Sequence, residues 1–509
     1  MKREQDFTKS LWTANVQSIT YPKLSDDLDI DVAIIGAGIT GITAAYLLAA
    51  EGKSVVVLEA HQVGKGSTAY STGNLYAPVG EKLHSIESKH GEEVMFQVAS
   101  SRIEAINFIE HRVTDHGIDC DFQRVPWNLF TTSQSENNNK IVNDEFNAAH
   151  RIGLEAINST PLTFPFQNIS QIATIDHQAQ INPYKYVLGL AKSVDPSKCS
   201  IFENTKVLNV EDGSPCIVHT NTALVRAKNV IMATHSPKGI YEVHTEMEAY
   251  REFALAAKLK GNLPQEGIYW HMTGSHQYSI RPCSNEEGNY LIAVGQPYLV
   301  GTLDDNEECL LEIERYVYEY FDVESIVYRW AAQNYKSADG LPYIGTSPLQ
   351  KNVFIATGFK DDGLVYGTLA ANIISETILG RKSDWSELYD PKRFTPIASA
   401  EQFVRENVNV VTHLLKDYWF YGEVDRLKQI ECGEGKTLTL DGEKVAAYRD
   451  KNNKLHIVSS VCTHLGCILH FNNTEVSWDC PCHGSRFTVD GEVIEGPAYK
   501  NLAKPLTSS

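Results

Sequence analysis

No run of apolar residues in this chain approaches the roughly 20 that a bilayer-spanning helix needs. The first ten residues, Met1 to Ser10, are polar where a secretion signal would carry an apolar segment. A soluble, cytoplasmic protein is therefore expected. Basic residues are outnumbered, with 45 Lys and Arg against 64 Asp and Glu, and the net charge of -19 is spread along the chain. Such a surface repels phosphates, so neither nucleic acid nor an anionic membrane is expected as a partner. Repeats and low-complexity tracts are absent. Ten cysteines in 509 residues do not make a disulfide scaffold. Six of them, Cys120, Cys199, Cys216, Cys283, Cys309 and Cys432, are scattered as inert, buried thiols would be. The other four fall within 21 residues near the end, and that clustering is a signal.

The length predicts two or three domains. Asp29 to Ile35 is an apolar, β-branched run ending at a glycine turn; Ile39 to Ala50 continues with helical character, and Ser54 to Leu58 is a second short run. Together they read as a βαβ unit. Ser101 to His111 is helix-like, and the stretch from about 120 to 180 mixes short apolar runs with Pro and Asn. Further strands are predicted at Val207 to Val210, Ile217 to Val218, Val230 to Met232, Tyr278 to Arg281 and Tyr290 to Val294. Val353 to Ala356 returns to the buried parallel-strand pattern and leads through a glycine turn to a helix from about 363 to 379. Ser383 to Ala400 is polar, and Glu401 to Lys416 has the apolar spacing of a bridging helix. From about 423 onward, short strands and the turns Asp441-Gly442 and Asp490-Gly491 predict an all-β module.

Gly36-Ala37-Gly38-Ile39-Thr40-Gly41 has the G-x-G-x-x-G spacing between a strand and a helix. Gly36 permits the turn, Gly38 lets the backbone approach a pyrophosphate, and Gly41 allows close helix packing. Glu59 ends the second strand, where a carboxylate can accept from ribose hydroxyls. A dinucleotide site follows. Gly433-Glu434-Gly435-Lys436-Thr437 is not a P-loop, because Ile430 stands at the first glycine position.

Residues from about 30 to 395 resemble the D-amino-acid-oxidase and glycine-oxidase superfamily of FAD enzymes. Besides the glycine turn, the resemblance rests on Ile231-Met232-Ala233-Thr234-His235, Ser337-Ala338-Asp339-Gly340-Leu341-Pro342-Tyr343-Ile344-Gly345, and Ala356-Thr357-Gly358-Phe359 leading to Gly363. It implies FAD as cofactor, with Ser67, Thr68, Gly73, Asn74, Gly358 and Gly363 along the flavin. No second G-x-G-x-x-G follows a strand, which disfavours a reductase with two nucleotide domains. The implied fold is an α/β, Rossmann-like FAD-binding domain with an inserted α+β substrate domain, plus the C-terminal all-β module. The expected boundaries are a leader at 1–25, the flavin part at 26–385 with insertions near 100–180 and 245–335, a linker and bridging helix at 386–422, and the β module at 423–509.

Cys462-Thr463-His464 and Cys480-Pro481-Cys482-His483 form C-x-H followed by C-x-x-H. That ligand set suits either zinc or a [2Fe-2S] cluster. The surroundings resemble the Rieske family: His464-Leu465-Gly466-Cys467 and Cys482-His483-Gly484-Ser485 match its two cluster loops, and Gly496-Pro497-Ala498 its proline loop. The resemblance implies a Rieske [2Fe-2S] cluster on Cys462, His464, Cys480 and His483, and a disulfide between Cys467 and Cys482, unusual for cytoplasm. Phe487 stands where high-potential members use Tyr. Losing that hydroxyl donor implies a potential below the top of the roughly -150 to +300 mV range.

The flavin resemblance implies an amine or amino-acid substrate oxidised at a C–N bond, with the cluster draining the flavin one electron at a time to an external acceptor. Arg281 and Tyr278, on a strand expected to face substrate, and Tyr335 are the candidate substrate contacts, with Arg251 and His271 weaker ones. Two rivals stand beside this dehydrogenase. An external donor protein could feed the cluster and then FAD for a reductive or oxygenating reaction, or the chain could be a non-catalytic electron carrier or redox sensor.

Overall fold

The computed structural model describes residues 9–14, 16–159, 165–239, 242–393 and 424–505. The bridging helix expected over Glu401 to Lys416 lies outside them.

Five parallel strands form the core of the nucleotide domain, in the order Val353–Thr357, Leu224–Met232, Leu28–Ile35, Val55–Leu58 and Cys199–Phe202. They read as continuous aliphatic runs because both faces are covered. Tyr343–Thr346 adds an antiparallel edge, and the hairpin Val207–Glu211 with Cys216–Thr220 joins beside Leu224–Met232. Two helices, Ile39–Ala50 and Gly363–Ile378, pack on one side and approach closely at Gly367, where a Cβ would lie 2.6 Å from the Thr40 hydroxyl. Segments some 300 residues apart in sequence thus close one domain, as the βαβ pattern and the late parallel strand anticipate.

The second sheet runs Val323–Ser337, Met247–Leu259, Gly288–Leu299, His276–Asn285, Ile268–Thr273, Gln123–Thr131, Gln171–Gln180 and Asn74–Leu75. Alternate residues divide its faces. Ala254, Ala256, Trp270, Ile292 and Trp330 enter the same core as the nucleotide-domain helices. Phe253, Leu255, Tyr278, Ile280, Leu291 and Ala293 turn the other way, onto Leu310, Ile313, Tyr316 and Val317 of the helix Glu307–Tyr320.

Several helices escape the sequence pattern, Leu83–His90 and Pro183–Lys192 among them, and two are instructive. Glu307–Tyr320 sits inside the 245–335 insertion, where the sequence reading named strands but no helix. Glu136–Arg151 is polar, and its buried stripe includes Asn138 and Glu145. Glu145 accepts from the backbone N–H groups of Leu83 and His84, at 2.9 and 3.1 Å, so a tertiary contact rather than hydrophobicity fixes that helix.

Two expected boundaries shift. The leader is part of the body: Leu11, Trp12 and Leu24 are buried, and Trp12 Nε1 donates to the Ser71 carbonyl at 2.8 Å. The linker cannot begin at 386, because Tyr389 is fully buried and Arg393 pairs with Asp339 at 2.9 Å. The C-terminal module pairs a three-stranded sheet (Gly435–Leu440, Glu443–Arg449, Leu455–Ser459) with a four-stranded one (His470–Asn472, Ser477–Asp479, Arg486–Thr488, Val493–Glu495). Among the described residues no helix is long and apolar enough to cross a membrane.

Candidate functional site

The glycine turn is built as a cradle. Gly36 has φ +103°, and a Cβ there would lie 2.6 Å from the Ala233 carbonyl oxygen. Glu59 is fixed at the end of its strand, one carboxylate oxygen accepting from Ala37 N (2.9 Å) and the other from His61 N (2.8 Å). Ser67 and Thr68 come to the same place: Thr68 Oγ1 accepts from Ile39 N at 3.0 Å, and Ser67 Oγ lies 3.2 Å from His235 Nδ1. Asn74 is 6% exposed, and both its amide oxygen and nitrogen lack a partner. Ser337, 1% exposed, is likewise without a hydroxyl partner, and its Cβ lies 3.6 Å from where a Gly358 Cβ would stand. Buried polar groups are ordinarily paired. Orphans beside a glycine cradle, with Gly363 opening a helix whose first N–H groups are available, fit a polar dinucleotide cofactor.

Around this cradle lies an ionisable cluster that the sequence did not reveal. Arg102 donates to the carbonyls of Tyr76, Ala77 and Pro78 and to Asp362 Oδ1 at 3.1 Å, tying the 76–80 segment to the loop after Gly358. Glu81 pairs with Lys336 (3.0 Å) and Lys360 (2.9 Å). Burial would raise its carboxyl, but the two ammonium groups outweigh that and hold it at about 2. Lys82 lies over the Trp270 ring at 5.9 Å, and burial brings it down to about 8. Asn334 Nδ2 donates to Asp361 Oδ1 at 3.0 Å and lies 3.4 Å from Glu252 Oε2. Burial, followed by the charge of Asp361, pushes the Glu252 carboxyl well above its usual range. The only clue in the sequence was the acidic pair Asp361-Asp362 inside the expected flavin loop.

The expected substrate contacts do not converge. Arg281 donates to the carbonyls of Thr72 (2.7 Å) and Ile181 (2.8 Å) and stacks over Trp12 at 4.9 Å. It pins the segment at Gly73, whose Cβ would stand 2.2 Å from its guanidinium, and burial lowers it to about 10. Tyr278 and His271 sit on the sheet face turned away from the nucleotide domain. Tyr278 stacks on Tyr316 with centroids 3.9 Å apart, and His271 Nδ1 lies 2.8 Å from the Tyr316 hydroxyl. Period-two alternation explains the miss: Tyr278 and Arg281 were assigned to one surface, although three residues apart on a strand puts them on opposite faces. Arg251 and Tyr335 instead meet the C-terminal module. Arg251 makes a two-pronged contact with Glu475 at 2.5 Å, and the Tyr335 hydroxyl donates to the Gly496 carbonyl at 3.1 Å.

In that module the four expected ligands lie together. Cys462 and Cys480 are buried, and their thiols share a hydrogen bond that, with the Ser485 hydroxyl assisting, holds Cys462 at about 7 despite burial. The His464 and His483 rings stand edge to face with centroids 4.9 Å apart, and His483 Nδ1 is buried without a partner. Each loop is closed by its own backbone: Gly466 N donates to Cys462 O, and Gly484 N to Cys480 O, both at 3.0 Å. The Cys467–Cys482 disulfide braces the two loops, with Cα atoms 6.5 Å apart. The Sγ atoms of Cys467, Cys480 and Cys482 lie within 4.8 Å of one another, but oxidised sulfurs are not thiolate ligands. Two thiols and two imidazoles, both with orphaned ring nitrogens, fit a Rieske cluster.

The chain belongs to the FAD dependent oxidoreductase (DAO) family, whose family model matches residues 31–377, and it carries a Rieske [2Fe-2S] domain at residues 420–505. FAD and a [2Fe-2S] cluster are its cofactors. It is 31% identical to YhfW of Bacillus subtilis (strain 168), which bears the name Rieske 2Fe-2S iron-sulfur protein, over 97% of both chains. The gamma-glutamylputrescine oxidoreductase of Escherichia coli (strain K12) is 22% identical over 78% of this chain and 93% of its own. Among solved structures, glycine oxidase from Geobacillus kaustophilus superposes with a TM-score of 0.61 at 18% identity, covering 72% of this chain and 99% of that one.

Proposed function

We propose that this oxidoreductase is a dehydrogenase that oxidises a C–N bond of an amine or amino acid and releases the electrons singly through its Rieske domain. The observation that carries the proposal is the packing of the strand Val323–Ser337, which touches the expected flavin loop with Asn334 and Lys336, one cluster loop with Gln333 and the proline loop with Tyr335. The E. coli relative, a gamma-glutamylputrescine oxidoreductase, and the Geobacillus neighbour, a glycine oxidase, support the substrate class.

When bound, the flavin supplies a two-electron acceptor for the substrate and the cluster a one-electron outlet. The chain's own residues prepare that chemistry. Gly36, Gly38, Gly41 and Glu59 would hold the nucleotide end, and Asn74, Ser337 and the helix opening at Gly363 the flavin end. Tyr76, Trp127 and Trp270 form an aromatic wall, with centroids 5.2–5.3 Å apart in successive pairs, on the sheet face toward the nucleotide domain. Lys82 stands beside that wall, its ammonium 5.9 Å from the centre of the Trp270 ring. Cys462, His464, Cys480 and His483 would hold the cluster.

An anaerobic titration with a panel of amines and amino acids tests the proposal. Bleaching of the flavin followed by the EPR signal of a reduced Rieske cluster is the expected result. Failure of every amine, with reduction by a ferredoxin or a reductase instead, would establish the opposite current, and full reduction without turnover would favour a carrier.

Phe487 offers a separate check. It is fully buried in the same core cluster as Cys462 and Cys480. Phe487→Tyr adds a hydroxyl donor beside the ligand loops, which stabilises the electron-rich reduced form. A redox titration followed by EPR is expected to move the midpoint potential upward; a fall, or no movement, refutes this account of the ligand surroundings.

A further inference from the structure

The Rieske domain meets the flavin-bearing body along a closely packed seam beside its cluster loops. Gln333 Nε2 donates to the Gly484 carbonyl at 2.8 Å, Tyr335 to Gly496 O at 3.1 Å, and Gly239 N to the Pro497 carbonyl at 2.9 Å. The approach is so close that a Cβ on Gly484 would stand 2.4 Å from the Ala249 Cβ.

Within this seam a line of buried and half-buried side chains joins the two cofactor regions. Ser67 Oγ, at the expected flavin, lies 3.2 Å from His235 Nδ1. The His235 ring is 5.0 Å from the Tyr335 ring. The next residue, Ser236, places its hydroxyl 3.3 Å from His244 Nε2. The His244 ring then stands 5.1 Å from the His464 ring and 6.2 Å from that of His483. Tyr335, 2% exposed, and His244, 4% exposed, are both shut off from solvent. Nothing in the sequence motifs marks His244, which comes from the 3₁₀ turn Glu242–Glu246 in the flavin-bearing part.

We propose that His235, Tyr335 and His244 form the internal electron bridge between the flavin and the cluster, with His244 as the positioning residue that holds the two ligand imidazoles against the flavin-bearing body. Two features support it. Tunnelling falls off more steeply across gaps than through packed atoms, and this is a packed line between the two regions. A ligating imidazole is also oriented by its neighbours, and here both rings lie beside the chain's own His244, at 5.1 and 6.2 Å. The bridge rests on the dehydrogenase proposal above, because it presumes that the two cofactors exchange electrons. Each crossing moves one electron: the reduced flavin loses one equivalent and one ferric iron becomes ferrous. An external one-electron acceptor protein, ferricyanide in the assay, empties the cluster before the second crossing. No bond in the bridge forms or breaks, and its side chains keep their protons.

The test uses the full-length holoprotein and its His244→Ala, His244→Phe and Tyr335→Phe variants. Iron and flavin contents are measured first, then the EPR spectrum of the dithionite-reduced cluster, then the rate at which photoreduced flavin passes an electron to the cluster. His244→Ala is expected to keep the cluster, alter its EPR line shape, and slow internal transfer by about tenfold or more, the usual scale for a lost partner of a metal ligand. His244→Phe, which restores a ring in the same place, is expected to recover much of the rate, a rescue that a purely structural role would not require. Tyr335→Phe is expected to slow transfer with line shape and iron content unchanged, and it decides the matter should His244→Ala lose its iron. Wild-type transfer rates in Tyr335→Phe and in an iron-replete His244→Ala would overturn the bridge. A wild-type flavin that stays reduced beside an oxidised cluster would overturn the dehydrogenase proposal as well, so the two failures are distinguishable.

Discussion

Glu475→Gln is expected to loosen the Rieske domain from the flavin-bearing body at a cost of up to about 3 kcal/mol, the low end of the penalty for breaking a buried pair, since Glu495 stays beside Arg251 and Asp479 beside Arg486. Glu475 sits in the turn between the strands His470–Asn472 and Ser477–Asp479. Its carboxylate takes both prongs of Arg251 at 2.5 Å and lies 3.1 Å from Arg486. The side chains are 11%, 6% and 3% exposed respectively. Glu495 adds a second acid, 3.3 Å from Arg251 and 3.6 Å from Arg486. With Gln at 475, two guanidinium groups stay buried and share what remains of the negative charge. Chemical denaturation followed by cluster absorbance is expected to show the iron-sulfur signal lost at lower denaturant than the flavin signal. A loss below about 1 kcal/mol would mean that desolvation nearly cancels the attraction here.

The same group makes a pH prediction. Burial would raise the Glu475 carboxyl, but Arg251 and Arg486 outweigh it and hold it at about 2. A folded pKa below the unfolded one contributes stability that is complete above the unfolded value, near 4.5, and is lost as pH falls through about 2. Glu81, also held at about 2, acts in the same direction. Stability is therefore expected to fall between about pH 5 and 2, and Glu475→Gln to flatten part of that slope.

What could be read from the sequence follows from how local each feature is. Gly36 to Gly41 and the helix Ile39–Ala50 emerge at their expected positions because strand, turn and helix are adjacent in the chain. The Cys467–Cys482 bond that the Rieske resemblance implied is present, and Cys462, His464, Cys480 and His483, the ligands that resemblance proposes, lie on loops each closed by its own backbone within five residues. The substrate side was not legible. Arg281, Arg251 and Tyr335 were singled out as groups able to bind a ligand, but each is engaged by partners 100 or more residues away. The ionisable cluster of Glu81, Arg102, Glu252, Asn334, Lys360 and Asp361 draws on five separate segments, and no spacing rule links them. The shared failure is physical: a charged side chain announces its chemistry but not its partner, and in a large α/β enzyme the partner is set by tertiary packing.

Gly41→Ala is expected to abolish flavin binding while leaving the Rieske cluster in place. A Cβ at residue 41 would lie 1.9 Å from the Gly36 carbonyl oxygen and 3.2 Å from Ile34 Cγ2. Gly36 cannot yield: its N–H is bonded to Leu58 O at 2.9 Å, Ala233 N to Ile35 O at 2.9 Å, and its own φ of +103° leaves it against Ala233. The helix Ile39–Ala50 must therefore lift from the sheet, where Thr40 already meets Gly367, at an overpacking cost of about 1–3 kcal/mol or more. The Rieske sheets are built from residues 435–495 alone, so iron content and the cluster's EPR signal are expected to survive. Gly363→Ala supplies the contrast. No protein atom lies within 4 Å of a Cβ there, so flavin lost from that variant, with the melting temperature unchanged, would report the cofactor itself against the helix N-terminus. Flavin retained at full occupancy in Gly41→Ala would sink the assignment of this turn as the nucleotide cradle.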